Sequence, residues 1–234
     1  MAKQETIEAI PVERPPLARS VLFMGIELET APGVLVPREE TELLGRSTVE
    51  LLREVSSEAI VIDMCCGSGN LALAIAAAVP TARVWASDLT DDTVALARRN
   101  AERCGLAGAV KVVQGDLFSG LQDEGLEGRA DLVVCNPPYI STLRLEGDRS
   151  ALLENEPREA FDGGPYGLSI HQRLVREAAA FLKPGGWLAF EFGEGQDRQV
   201  KILLTRAGFY EPVRFAPDVA GMPRVAIARK KHEQ

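Results

Sequence analysis

The sequence predicts an α/β fold: a seven-stranded, mostly parallel sheet with helices on both faces, an antiparallel C-terminal strand and an N-terminal β-hairpin. Three observations predict it. From residue 59 onward, short β-forming runs alternate with segments of helical period, the pattern that βαβ units leave in a chain. The first three of these runs each end at glycine or aspartate, in V-I-D-M-C-C-G-S-G-N (61–70), S-D (87–88) and G-D-L-F (115–118). Finally, the last two β-forming runs follow one another with no helix between them, which implies an antiparallel addition at one edge.

The elements follow in order. Residues 1–19 are polar, include Pro11, Pro15 and Pro16, and are expected to form a flexible arm ahead of a single domain at 20–234. Between 20 and 37, V-L-F-M-G-I-E-L and V-L-V-P flank Ala31-Pro32-Gly33, which reads as a hairpin. Residues 39–55 carry Leu43, Leu44, Val49, Leu51 and Leu52 at helical spacing. Strands are then expected at 59–64, 83–87, 110–113, 132–135 and 187–192. Helices are expected at 69–78, 91–104, 169–182 and 196–207. Asp91 and Asp92 suit a helix N-terminus, and Pro184-Gly185-Gly186 ends the helix before it. Strands at 209–215 and 224–228 close the chain.

Composition narrows the function. At 234 residues, 46% hydrophobic and 26% charged, the chain is an ordinary globular protein. Its formal net charge of −8 weighs against a nucleic-acid partner, which usually demands a basic face. The longest apolar run, 71–79, is far too short to span a membrane, and the start M-A-K-Q-E-T has no apolar segment behind it, so a cytoplasmic location is expected. Cys65, Cys66, Cys104 and Cys135 form no C-x-x-C pair, and His171 and His232 are the only histidines. Neither a metal site nor a disulfide is expected.

The candidate chemistry lies at the strand ends, where open α/β sheets bind ligands. In the 61–70 segment Gly67 and Gly69 let backbone approach a ligand at a helix start. Asp88, about 20 residues on, is placed for a ribose diol. Asp116 can accept from an adenine amino group, with Leu117 or Phe118 against the ring. The most telling motif is Asn136-Pro137-Pro138-Tyr139, just past a strand. Its prolines stiffen the backbone and remove two donors. The Asn136 oxygen and the Pro137 carbonyl remain as two acceptors that can hold a planar NH₂ and aim its lone pair at an electrophile. Tyr139 offers a face for stacking or for a sulfonium.

With these residues, the chain resembles the glutamine-N5 methyltransferases that modify peptide-chain release factors, over roughly residues 22–228. The matching segments are V-L-V-P-R-E-E-T-E (34–42), Glu156-Pro157, Gly163-Gly164, Gly167-Leu168, Pro184-Gly185-Gly186, E-F-G-x-x-Q (191–196), and Gly221 with Arg224. The resemblance implies the Rossmann-like class I methyltransferase fold. It also implies S-adenosylmethionine (SAM) as cofactor, near Asp63, Cys65, Gly67, Asp88, Asp116, Leu117 and Asn136. Arg38, Glu42, Tyr166 and His171 fall in the flanking segments and are candidate substrate contacts. Two departures stand out. Cys65 replaces the first glycine of the family's SAM loop. The family's helical N-terminal docking domain is expected to be missing, because the hairpin begins near residue 20.

The leading expectation is N-methylation of an amide or amine on a small-molecule or carrier-bound substrate. Glutamine methylation of a protein is an alternative. So is cyclisation of SAM itself, in which its α-amino group expels methylthioadenosine and closes azetidine-2-carboxylate. Nucleic-acid methylation fits poorly with the acidic charge, and a non-catalytic SAM-binding module would not need the Asn-Pro-Pro-Tyr turn.

Overall fold

The computed structural model describes residues 19–53, 55, 58–154 and 156–232; the expected arm, apart from its last residue, lies outside them. Strands β1 (Arg19–Phe23) and β2 (Ile26–Thr30) pair antiparallel as a separate two-stranded sheet. Their turn is not at Ala31-Pro32-Gly33. It is Met24-Gly25, with φ of 47° and 85°, the mirror-image turn that suits the twist of a two-residue hairpin. The Met24 amide donates to Glu42 Oε1 at 2.8 Å, so a long-range contact fixes a turn that has no Asn or Asp to announce it. V-L-V-P forms no strand and instead leads to a 3-10 turn, Glu39–Thr41, and helix α1, Glu42–Leu52.

The main sheet contains β3 (Ile60–Met64), β4 (Arg83–Asp88), β5 (Val110–Gln114), β6 (Ala130–Cys135), β7 (Leu182–Glu191), β8 (Arg214–Pro217) and β9 (Pro223–Arg229). Their order is β5-β4-β3-β6-β7-β9-β8. The first five run parallel, and β9 runs antiparallel to both β7 and β8. The seven-strand expectation holds, but the last strand is internal and β8 forms the edge. Burial explains this arrangement: Val225, Ala226 and Ala228 are at most 1% exposed, whereas the four-residue β8 has no buried position, as suits a short edge strand. The run expected at 209–215 pairs only from Arg214; upstream, Tyr210 makes a single bridge to Lys230. β7 also starts earlier than expected. It follows helix α5 (Ser169–Phe181) without a loop, and its Pro-Gly-Gly shifts the register against β6.

Side-chain alternation assigns two cores. Val61, Leu132 and Val134 face α1, α2 (Asn70–Ala78) and α3 (Asp91–Arg103). Ile62, Met64, Val133 and Cys135 face α5, α6 (Asp197–Ala207) and the 3-10 turn Leu117–Glu124. This is the two-residue period of a sheet covered on both sides. It brings the carboxyl ends of β3, β4, β5, β6 and β7 to one rim. No helix among the described residues is long and apolar enough to cross a membrane.

Candidate active site

The loop from β3 to α2 is wound tightly by three left-handed residues, Cys65 (φ 55°), Gly67 (φ 55°) and Gly69 (φ 83°). Cys65 thus takes up a left-handed backbone of the kind a glycine adopts freely. Its neighbours over-determine it: the Cys66 amide donates to the Ser87 carbonyl at 3.1 Å, and the Gly69 amide to the Cys66 carbonyl at 2.8 Å. The Gly67 amide donates to Asp88 Oδ2 at 2.7 Å. Asp88 Oδ1 accepts from the Leu89 amide at 2.7 Å and the Thr93 hydroxyl at 2.9 Å. Asp88 is therefore a preorganised carboxylate at the tip of β4.

A cavity of about 220 Å³ lies over this loop, lined by Cys65, Gly67, Asp88, Asp116, Leu117, Asn136 and Pro138 among others. Leu117, at φ 50°, is buried and lines it. Phe118 instead stacks on Phe181 in the core, with centroids 4.7 Å apart. Asp116 is exposed and held by Arg173 at 2.9 and 3.0 Å. Asp63 does not reach the cavity. It is fully buried at the end of β3, where Oδ2 accepts from the Ala72 amide at 3.0 Å and Oδ1 has no partner among the described residues. Burial above all, with the nearby Asp88 charge, pushes its carboxyl up to about 8. Between the ordinary value of 3.8 and that figure, the folded chain holds a proton that the unfolded chain releases. Stability of the ligand-free protein is expected to fall as pH rises through this window, by up to ~1.4 kcal/mol per unit. Urea titrations across the window should show the slope and its loss in Asp63→Asn; an unchanged slope in the variant would refute the assignment.

A second cavity, about 770 Å³, opens on the other side of Asn136 and is lined by Arg38, Glu40, Pro137, Tyr139, Phe161, Tyr166, Glu191 and Arg224 among others. Asn136 borders both cavities. Its Nδ2 donates to the Thr41 hydroxyl at 3.1 Å, and its oxygen has no partner among the described residues. The Thr41 hydroxyl donates to Glu191 Oε2 at 2.9 Å, and the Tyr139 hydroxyl to Glu191 Oε1 at 3.0 Å. Arg224 Nη2 lies 3.9 Å from Glu191 Oε1, and its guanidinium carbon is 6.0 Å from the Tyr139 ring centre. Burial raises the Glu191 carboxyl above its usual range; the Thr41 and Tyr139 hydroxyls and Arg224 oppose this.

The remaining expected contacts separate. Arg38 borders the larger cavity and is ion-paired with Glu156. Tyr166 stands at its rim, 85% exposed. Tyr139 borders this larger cavity and not the smaller one, and its ring has the Arg224 guanidinium beside it. Glu42 borders neither; it pins the hairpin turn and pairs with Arg46. His171 borders neither and is fully buried, not on the helix surface. Its Nε2 lies 2.9 Å from the Glu191 carbonyl, its ring meets Phe190 edge-on, and burial lowers it to about 4. It is a neutral packing residue, because burial strips the cation of solvent. Thr41, Thr93, Glu191 and Arg224 went unrecognised as site residues in the sequence. Glu191 did leave a signal, a charge ending the apolar strand W-L-A-F-E, since charges are rarely buried without a task.

A wound glycine loop, an acid at the next strand end, and Asn-Pro-Pro-Tyr at the fourth define a SAM-dependent methyltransferase of the class I fold. The residues at the smaller cavity suit SAM: Asp88 is a preorganised carboxylate, and Gly67 offers an open edge where an added Cβ would meet nothing within 4 Å. Residues 40–155 match the methyltransferase small domain family. A release factor glutamine methyltransferase of Moorella thermoacetica is 40% identical over 211 residues, 90% of this chain and 72% of that protein. The 4-amino-L-phenylalanine/4-methylamino-L-phenylalanine methyltransferase of Streptomyces pristinaespiralis is 37% identical, covering 88% and 69%. Among solved structures, the release factor-specific protein-(glutamine-N5) methyltransferase of Alicyclobacillus acidocaldarius superposes with a TM-score of 0.51 at 25% identity, over 87% of this chain and 99% of that one. The chain belongs to the release factor glutamine methyltransferase family.

Proposed function

We propose that the protein methylates an amide or amine nitrogen of an acceptor lodged in the larger cavity, with the smaller cavity holding SAM. The observation that carries this reading is the position of Asn136 between two cavities, its oxygen unengaged. A glutamine carboxamide is the foremost acceptor, on a protein or a smaller carrier, because relatives at 40% identity are named for that activity. A free aromatic amine, as in the Streptomyces relative's name, is the small-molecule counterpart.

SAM supplies an electrophilic methyl carbon. Asn136 Oδ1 and the Pro137 carbonyl would accept the two hydrogens of the acceptor NH₂ and turn its lone pair toward that carbon. The nitrogen's surplus proton then leaves to water through the open cavity. Asp88, already held by two amides and a hydroxyl, would receive the ribose hydroxyls. Asp63, buried beneath the loop and bonded to the Ala72 amide, would brace the loop from below.

The test is product analysis by mass spectrometry. SAM is incubated with the protein alone, with a glutamine-bearing release factor, and with 4-aminophenylalanine. S-adenosylhomocysteine and a one-methyl gain on nitrogen should appear only with an acceptor. Methylthioadenosine and azetidine-2-carboxylate from SAM alone would overturn the reading in favour of cyclisation. Calorimetry on Asp88→Ala should show SAM binding weakened by ~1–3 kcal/mol; unchanged affinity would remove Asp88 from the site.

A further inference from the structure

We propose that Thr41 is a positioning residue whose hydroxyl, oriented by Glu191, fixes which end of the Asn136 amide faces the acceptor. The inference rests on the reading of Asn136 given above and adds to it the reason the asparagine points one way. A carboxamide is nearly symmetric in shape, so packing alone discriminates poorly between its oxygen and its nitrogen. Turned the wrong way, Asn136 would offer the acceptor NH₂ a donor in place of an acceptor.

Hydrogen-bond polarity resolves the choice. An ionised carboxylate only accepts. Glu191 Oε1 takes the Tyr139 hydroxyl at 3.0 Å and Oε2 takes the Thr41 hydroxyl at 2.9 Å. Thr41 has a single hydroxyl proton, and it is committed to Glu191. What Thr41 presents to Asn136, 3.1 Å away, is therefore a lone pair. Only the NH₂ end of Asn136 can bind it, and the oxygen is left facing the cavities.

The strut is rigid. Thr41 is 1% exposed and Glu191 3%. Thr41 closes the 3-10 turn ahead of α1, and Glu191 ends β7. Asn136 follows β6, the neighbour of β7 in the sheet. Three separate elements thus converge on one amide. The groups facing the Glu191 carboxylate are the Thr41 and Tyr139 hydroxyls, Arg224 and, with the opposite effect, Glu40. The neutral His171 binds only the Glu191 backbone carbonyl.

Three variants test the relay in the full chain with SAM and a methyl-accepting substrate: Thr41→Val, which keeps the shape and deletes the hydroxyl; Thr41→Ser; and Glu191→Gln. Thr41→Val is expected to lower kcat by at least tenfold while SAM affinity stays within threefold, and Thr41→Ser to recover most of the loss. Glu191→Gln can donate to Thr41 and reverse the chain. It should lower kcat similarly and abolish the fall in kcat expected of the wild type as pH drops through the Glu191 ionisation. Retained SAM affinity reports that each variant is folded. Should Thr41→Val not fold, the Ser variant and the pH profile of Glu191→Gln carry the test. Wild-type kcat in both Thr41→Val and Glu191→Gln, or an acid limb that persists in Glu191→Gln, overturns the relay. A wild type that transfers no methyl to any acceptor would instead overturn the proposed function.

Discussion

Asn136→Ala is expected to lower turnover at least ~10²-fold while leaving SAM affinity within a few-fold of wild type. The side chain makes one protein hydrogen bond, from Nδ2 to Thr41, so its removal disturbs little of the fold. What is lost is the oxygen at the junction of the two cavities, whose role is confined to the moment the nucleophilic nitrogen is aimed. Removing a single preorganised polar group of this kind typically costs two to three powers of ten in rate. Single-turnover kinetics with SAM titrations on the same preparation would separate the two effects. Nearly unchanged turnover with collapsed SAM affinity would make Asn136 a cofactor contact and refute the proposed mechanism.

The second large effect is expected from Gly167→Ala, at a position outside both cavities. Gly167 is buried with φ 70°, and an added Cβ would lie 2.3 Å from the Tyr139 carbonyl oxygen and 2.8 Å from Gln196 Nε2. Both contacts hold the motif: Gln196 Nε2 donates to that same Tyr139 carbonyl at 3.1 Å. Neighbouring Gly163 is packed as tightly, its Cβ position 2.8 Å from the Pro138 carbonyl. The segment after the motif thus lies directly on the motif's own backbone. A methyl group there adds left-handed strain to a clash that cannot relax without moving Tyr139. A stability loss of ~2–4 kcal/mol is expected, with a fall in turnover that persists at temperatures where the variant remains folded. Chemical denaturation and assays at low temperature would check this. Wild-type stability and activity together would show that the segment does not brace the motif.

The alternation of elements, the carboxyl-end rim and Asn136 itself were legible in the sequence because each depends on short-range pattern. Strand periods, a glycine turn and an Asn-Pro-Pro run are local facts. The errors fall where distant contacts decide. The hairpin turn sits at Met24-Gly25 because Glu42 reaches back to it. β9 is internal because both its faces are covered. His171 stood out in the sequence as a candidate contact, but helical period alone does not say that its face of α5 meets the sheet. Thr41 and Glu191 stand 150 residues apart in the chain, and nothing local to either points to the other. Cys65 was legible as a departure from a glycine position, but only the backbone shows that it takes the glycine's conformation.

The strand order also makes the two cavities depend differently on the C-terminal strands. β8 pairs with β9 and with no other strand of the main sheet, so its place in the sheet depends wholly on β9. Only when the later strand slots in beside β7 can the earlier one attach outside it. The smaller cavity is lined wholly by residues between Gly33 and Ile170. Met222 and Arg224 reach the larger cavity only with β9. The smaller cavity is thus independent of the C-terminal strand pair, whereas the larger one is completed by it.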